Sequence, residues 1–134
     1  MKTATRRFAV PAGVAAITIA ATGYVAAVDP NAAGHYPACP FLAVSGFFCP
    51  GCGSLRAVHA LAHGDPLAAL SLNPLFTLTA PVLLYLWARW AYAAWTGRRM
   101  TTVLARPVFA RGFVAVALVF WVVRNLPFGR FLAP

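Results

Sequence analysis

Three stretches of this chain are apolar over lengths that fit a lipid bilayer. The first, 8–28, contains no charged residue, and about 20 helical residues cross a hydrocarbon core about 30 Å thick. The second, 74–96, follows Asn73, which together with a proline at the first helical position favours the start of a helix. The third covers about 108–124 and is the shortest. The pattern predicts an all-α polytopic membrane protein with about three transmembrane helices at these positions.

The composition favours a lipid environment over a purely aqueous one. Apolar residues make up 61% of the chain and charged residues 10%, whereas soluble domains carry about 25% charged residues. The net charge is +9, and only two residues are acidic. Because the basic residues border the apolar stretches, they indicate membrane orientation and not a nucleic-acid partner. We expect one membrane domain, 1–134, with the lipid bilayer as its first partner.

The basic residues also predict which side of the membrane each loop faces, because short cytoplasmic loops are enriched in Lys and Arg. The richer side has Lys2, Arg6, Arg7, Arg98, Arg99, Arg106 and Arg111. The other side has Arg56, Arg124 and Arg130. We therefore expect the amino terminus and a basic loop at 97–111 in the cytoplasm of a multi-pass protein of the cell membrane. Segment 29–72 and a surface tail at 125–134 then lie outside.

The outside segment, 29–72, contains signals for two short helices. Ser54 is predicted to cap a helix that ends at Gly64, and Asp65 to cap a second helix that ends at Leu70. Short helices between two membrane spans are typical of re-entrant or interfacial segments. We expect both helices to lie at the membrane surface or to dip into it.

All three cysteines of the chain lie in this outside segment. Cys39 and Cys49 are each followed by a proline, which holds the preceding residue extended, and Gly51 and Gly53 on either side of Cys52 permit a tight loop. Cys52 precedes the first short helix, where free N–H groups favour an anion, and Arg56 follows one turn later. Both features predict a lowered thiol pKa for Cys52.

The cysteines allow several chemistries. In an oxidising compartment Cys39 can pair with one of the other two in a structural disulfide, and Cys49 and Cys52 can form a redox-active pair. All three can instead bind a metal ion such as zinc. A zinc site built from Cys49, Cys52, His59 and His63 is less favourable, because His59 would stand about 10 Å from Cys52 along the helix axis.

Several short motifs occur together, and in this combination they resemble domain-of-unknown-function family 2752, small bacterial membrane proteins. The residues that carry the resemblance are Cys39-Pro40, Ser45-Gly46, Cys49-Pro50-Gly51-Cys52-Gly53, Arg56-Ala57, Gly64-Asp65, Asn73-Pro74-Leu75 and Arg124-Asn125-Leu126-Pro127. The resemblance covers about residues 35–134. It implies membrane helices and marks the cysteine motif as the site, but it implies no reaction.

Two functions are compatible with these observations. The first is an accessory or interaction subunit of a membrane assembly, or a homo-oligomer, with a rigid cysteine loop as its recognition element. The alternative is a thiol-based metal-binding or redox site. Because the chain has no carboxylate pair, no Ser-His-Asp set and no phosphate loop, we favour a non-enzymatic role. The candidate site residues are Cys39, Pro40, Cys49, Pro50, Gly51, Cys52, Gly53 and Arg56, with Ser54, His59 and Asn73 as supports.

Overall fold

The computed structural model describes residues 2–32, 34–100, 102 and 106–134, which contain helices and no β-strand. The all-α class predicted from the sequence is therefore confirmed for these residues. The helices are α1 (Lys2–Ala27), α2 (Pro40–Ser45), α3 (Ser54–Ala62), α4 (Pro66–Leu72), α5 (Pro74–Thr96) and α6 (Pro107–Arg124), followed by a 3₁₀ helix at Pro127–Leu132. We call this last element the tail helix. The predicted basic loop at 97–111 lies partly outside the described residues.

Two of the described helices are long and apolar enough to cross a membrane, namely Arg7–Ala27 within α1 and Pro107–Arg124 in α6. Of these apolar stretches only 11% and 6%, respectively, is buried inside the protein. The second predicted span, α5, has the predicted bounds and 23 residues, but it does not reach the same hydropathy, because Arg89 and several Trp and Tyr residues lower its mean. Three spans are therefore not confirmed; two candidate spans are.

The long helices α1 and α5 pack side by side in opposite directions. Phe8 near the start of α1 meets Trp95 near the end of α5, with ring centroids 5.3 Å apart. Further along, Nε1 of Trp87 donates a hydrogen bond to the carbonyl of Pro11 at 3.2 Å. The end of α1 and the start of α5 therefore lie at the same end of the molecule. Helix α6 packs mainly against the tail helix.

The short helices fill the space between α1 and α5. Helix α3 packs on α1 and α4, and α4 on α5. The cap of α4 is Asp65, as predicted, whose carboxylate accepts a hydrogen bond from the backbone N–H of Ala68 at 2.9 Å. Two expectations were wrong: α3 is capped by Gly53 and not by Ser54, and α4 continues to Leu72. Helix α2 was not predicted, since its apolar residues show no helical periodicity.

The carboxy-terminal residues fold back onto the protein. The tail helix contacts α6 and α4, and Gly129 is buried against Val123 and Arg124 so closely that a Cβ atom would not fit. Pro134 then lies beside Gly53. This segment, expected as a surface tail, forms part of the support under the cysteine loop.

Candidate metal centre

The three cysteine sulfurs form one cluster. The Sγ atoms of Cys49 and Cys52 are 3.1 Å apart, those of Cys39 and Cys49 are 3.6 Å apart, and all three lie within 4.8 Å of one another. The cysteines are free thiols in the structure, since a disulfide would bring two sulfurs to about 2.05 Å. The arrangement brings together every cysteine of the chain.

Cys39 reaches the cluster because it precedes α2. Pro40 occupies the first position of that helix, and the backbone of Cys39 adopts the extended conformation that a following proline requires. Its sulfur faces the first turn, where the backbone N–H of Leu42 lowers the pKa of the Cys39 thiol, with a smaller contribution from the Cys52 thiol. Cys39 is therefore the cluster member with a pKa below its usual range.

The loop Cys49–Gly53, which we call the CPGCG loop, is a tight turn. The backbone N–H of Cys52 donates to the carbonyl of Cys49 at 3.1 Å, and that of Ser54 to the carbonyl of Gly51 at 3.0 Å. Gly53 has φ +85, and a Cβ atom at this position would lie 2.5 Å from the carbonyl oxygen of Leu72. Only glycine fits both the conformation and the space.

The thiol of Cys52 does not have the lowered pKa that the sequence predicted. Cys52 is buried, with 8% of its surface exposed, and burial raises its pKa to about 12, because the charged form loses its hydration. The predicted cation at Arg56 lies on the exposed surface of α3. The sequence pattern does not reveal this burial. The cost of desolvating the thiolate outweighs the stabilisation that the start of α3 offers it.

Asn73 holds the CPGCG loop from the side of α5. The residue is fully buried, and its side-chain amide donates to the carbonyls of Pro50 and Cys52 and to the hydroxyl of Ser54, at 3.0 to 3.1 Å. Its Oδ1 accepts the backbone N–H of Phe76 at 3.0 Å, which caps α5. One side chain therefore fixes both the start of α5 and the loop.

Arg124, at the end of α6, also holds the loop. It is 1% exposed. Its guanidinium donates to the carbonyls of Cys49 at 2.9 Å, Pro50 at 3.4 Å and Cys52 at 3.3 Å, and to Leu132 in the tail helix at 2.9 Å. The aromatic rings of Phe48 and Phe120 cover it, with centroids 5.8 and 4.8 Å away.

Asn125 completes this support by clamping the residue before the loop. Its Oδ1 accepts the backbone N–H of Phe48 at 2.8 Å, and its amide donates to the carbonyl of the same residue at 2.9 Å. The same amide also donates a hydrogen bond to the carbonyl of Trp121 at 2.8 Å. In the sequence, Arg124 contributed to the predicted membrane orientation, and the pair Arg124-Asn125 to the family resemblance, but neither residue was predicted at the site. The position of this pair directly after an apolar span, where charge is costly, was the available signal.

Arg56, a predicted site residue, makes no hydrogen bond to the loop among the described residues. It instead lines an open cleft of about 540 Å³ together with the three cysteines, Tyr36 and Asn31. The cleft lies on the open, outer side of the cluster, and Arg124 is not among the residues that line it. Arg56 therefore stands at the entrance to the site, and Arg124, which was not among the predicted site residues, contacts the loop carbonyls.

His59 does not support the cluster. Its Nδ1 lies 2.8 Å from the carbonyl of Val25 in α1, and its Nε2 lies 3.9 Å from the carboxylate of Asp29. The ring of His63 packs on it, with centroids 4.3 Å apart. His59 therefore connects α3 to α1, and of the predicted supports only Ser54 and Asn73 contact the loop.

The fold and the cluster together define an all-helical chain with two membrane-crossing candidates and a three-cysteine site. Residues 39–87 match the model of a family described as protein of unknown function, DUF2752, which confirms over this segment the family that the sequence resembled. The segment contains all three cysteines, Asn73 and Arg56 but not Arg124. No curated protein and no solved structure matches the chain.

Proposed function

We propose that this chain is a membrane protein whose cysteine cluster binds one thiophilic metal ion of the zinc type. The observation that carries the proposal is the placement of three thiol sulfurs within 4.8 Å of one another. Zinc binds cysteine sulfur at about 2.3 Å in a tetrahedron, so that neighbouring sulfurs lie about 3.8 Å apart. The distances of 3.1 and 3.6 Å need little adjustment to reach that geometry.

The fourth position of the tetrahedron is open to an external ligand. Among the described residues, no histidine or carboxylate joins the three cysteines as a further ligand, and the cluster opens into the cleft at Arg56. A closed structural zinc site uses four protein ligands, whereas an open position allows exchange. We infer that the ion exchanges with ligands that enter through the cleft.

The rigidity of the site supports binding over redox cycling. A redox pair at Cys49 and Cys52 would not require Cys39, yet α2 places Cys39 at 3.6 Å from Cys49. Asn73 and Arg124 fix the carbonyls of the loop, and preorganised ligands reduce the entropy cost of binding. A metal-binding role uses all of these features.

The site lies, in this proposal, at the outer face of the cell membrane. Three helix ends lie near the cysteines: the carboxyl ends of α1 and α6 and the start of α5. If all three helices span the membrane, the basic residues of 97–111 lie on the opposite, cytoplasmic side. In intact cells, a membrane-impermeant thiol reagent should label the reduced cysteines. A cysteine introduced at Gly97 in a cysteine-free background should react only after the cells are opened, and the reverse pattern would contradict the orientation.

Cobalt binding tests the metal site directly. Reduced protein in detergent should bind one Co²⁺ per chain, with the thiolate charge-transfer and visible bands of tetrahedral cobalt, and Zn²⁺ should displace it. Cys39→Ser, Cys49→Ser and Cys52→Ser should each abolish these bands, since coordination needs every ligand. His59→Ala and His63→Ala are matched controls that should leave them unchanged.

Two results would contradict the proposal. One is the absence of cobalt bands in folded wild-type protein. The other is a Cys39→Ser variant that keeps wild-type behaviour while Cys49 and Cys52 cycle between thiol and disulfide. That second result would identify the redox alternative.

A second candidate function is that of an interaction subunit, and α6 favours it. This helix exposes a set of large apolar residues: Val108, Phe109, Phe113, Val114, Val116, Leu118, Val119 and Val122. Lipid can cover such a helix, and so can another membrane protein or a second copy of this chain. Disulfide cross-linking of a cysteine placed at Val119, in a cysteine-free background, should trap a dimer if a second copy covers α6. Only uncrosslinked monomer in native membranes would exclude that occupant.

A further inference from the structure

Arg124 is a buried cation without a carboxylate to neutralise it. The whole chain contains only two acidic residues, Asp29 and Asp65. Asp29 accepts hydrogen bonds from Asn31, and Asp65 caps α4. Neither forms an ion pair with Arg124 among the described residues. Burial of a charge is unfavourable unless an opposite charge accompanies it.

The groups around Arg124 stabilise it only in part. Its two terminal nitrogens donate to four carbonyls, while its Nε is buried without a hydrogen-bond partner in the described structure. Carbonyls and aromatic rings are neutral, so they orient the guanidinium without cancelling its charge. The surroundings therefore leave one positive charge to be balanced.

The groups beside Arg124 that can become anions are the cysteine thiols. The guanidinium touches the backbone carbonyls of Cys49 and Cys52 directly. We propose that Arg124 is the built-in counter-ion of the cysteine cluster and that it balances the net negative charge of a divalent cation held by three thiolates. This inference rests on the proposed metal-binding function and names the charge class of its ligand.

The balance follows from the charge of the complex. When three thiols bind a divalent ion, three metal–sulfur bonds form, the thiol protons leave to solvent, and no electron is transferred. The product carries one negative charge, which the guanidinium balances. A monovalent ion on three thiolates would carry two negative charges, one of which would remain unbalanced in a partly buried site.

Substitutions of Arg124 separate its role as a counter-ion from its hydrogen bonding to the loop. Arg124→Gln removes the charge and should weaken Zn²⁺ binding by about 10- to 100-fold. This range is typical when a residue that orients the metal ligands, without binding the metal itself, is replaced. Arg124→Lys keeps the charge but not the planar fork, so its folded fraction should bind Zn²⁺ within about threefold of wild type. Affinities are measured per folded protein by competition with a chromophoric chelator.

Two matched controls complete the design. Asn125→Ala removes hydrogen bonds to the residue before the loop without changing the charge, so its folded fraction should lose less Zn²⁺ affinity than that of Arg124→Gln. Arg56→Gln removes the same charge from the exposed rim of the cleft, where water and salt screen it, and should change affinity by less than about threefold. Equal losses in the Gln and Lys variants of Arg124, or equal losses in Arg124→Gln and Asn125→Ala, would overturn the inference.

The wild-type protein provides a test that does not depend on a variant folding. A buried charge pair is shielded from salt, so Zn²⁺ affinity should change less than about twofold between about 0.05 and 0.5 M NaCl, with the chelator calibrated at each salt. A several-fold loss would mean that exposed charges balance the site. If the wild type binds neither Co²⁺ nor Zn²⁺, the proposed function itself fails. If it binds both and Arg124→Gln binds equally well, only the counter-ion role fails.

Discussion

The inner and outer sides of the cysteine cluster are built on different principles. On the inner side, Asn73, Arg124 and Asn125 are buried or half-buried and donate hydrogen bonds to backbone carbonyls around the loop. On the outer side, Arg56 and Asn31, the partner of Asp29, line the cleft and are exposed. Buried hydrogen bonds contribute fully to stability, whereas exposed charges are screened and contribute little. The inner side should therefore hold the site, and the outer side should regulate access to it.

The largest effect should come from Asn73→Ala. This change removes an N-cap, worth about 1 kcal/mol, and three further hydrogen bonds of about 1 kcal/mol each, and it leaves buried carbonyls without donors. We expect a loss of about 3 to 5 kcal/mol in the free energy of unfolding, measured by denaturation in detergent. Asn31→Ala, at an exposed asparagine of the outer side, should cost less than about 0.5 kcal/mol. Similar losses in both variants would remove the distinction between the two sides.

Only part of the inner side could be predicted from the sequence. Asn73 could be predicted as a cap, because Asn-Pro before an apolar run is a local signal. Arg124 and Asn125 could not be assigned to the loop, since they lie more than 70 positions away along the chain and meet it only after α6 and the tail helix have packed. Local signals thus predicted the helices and the cysteine motif, and tertiary contacts decided which arginine supports it.

The pKa of Cys52 shows the same limit. Its position before α3 and near Arg56 predicted a lowered pKa, but that prediction used only distances along the sequence. The structure buries Cys52 and turns Arg56 outward, so that the desolvation of the thiolate decides the direction of the shift. Burial of a single side chain depends on the whole fold, and no pattern within the motif encodes it.

The next largest effect should distinguish two glycines with the same backbone conformation. Gly53 and Gly64 have φ values of +85 and +77, but a Cβ atom at Gly53 would meet Leu72 and Pro134 within 3 Å, and one at Gly64 meets nothing within 4 Å. Gly64→Ala should cost about 1 kcal/mol of backbone strain. Gly53→Ala should cost about 2 to 4 kcal/mol, because steric overlap adds to the strain. Equal changes in unfolding free energy would show that Leu72 and Pro134 do not restrict the space at Gly53.

A third experiment compares the two arginines through the same conservative change. Lysine cannot reproduce the planar fork that donates to several carbonyls at once. Arg124→Lys should therefore lower the unfolding free energy by about 2 to 3 kcal/mol, although the protein that remains folded keeps its charge. Arg56→Lys should change it by less than about 0.5 kcal/mol. A destabilising Arg56→Lys beside a silent Arg124→Lys would reverse the assignment of inner and outer roles.

The smallest effect should come from pH at the outer side. Hydrogen bonds from the backbone and side chain of Asn31 hold the pKa of Asp29 below its usual range, with a smaller contribution from the facing rings of His59 and His63. Because the folded-state pKa is lowered, the stabilisation is present above the unfolded-state pKa of about 3.9 and is lost as the pH falls through the folded value. The chemical shift of the Asn31 amide should titrate with a midpoint below about 3.9.

The matched variant for this measurement is Asp29→Asn, which should remove that titration and, near neutral pH, remove the small stabilisation that the ionised carboxylate contributes. Asp29 is exposed, so water replaces its hydrogen bonds when they break, and the loss should remain confined to the turn at 29–32. A midpoint above the ordinary aspartate value would show that desolvation outweighs the Asn31 hydrogen bonds. Coupling of this titration to Zn²⁺ affinity would show that the outer side contributes to binding after all, since Asn31 lines the cleft through which the external ligand enters.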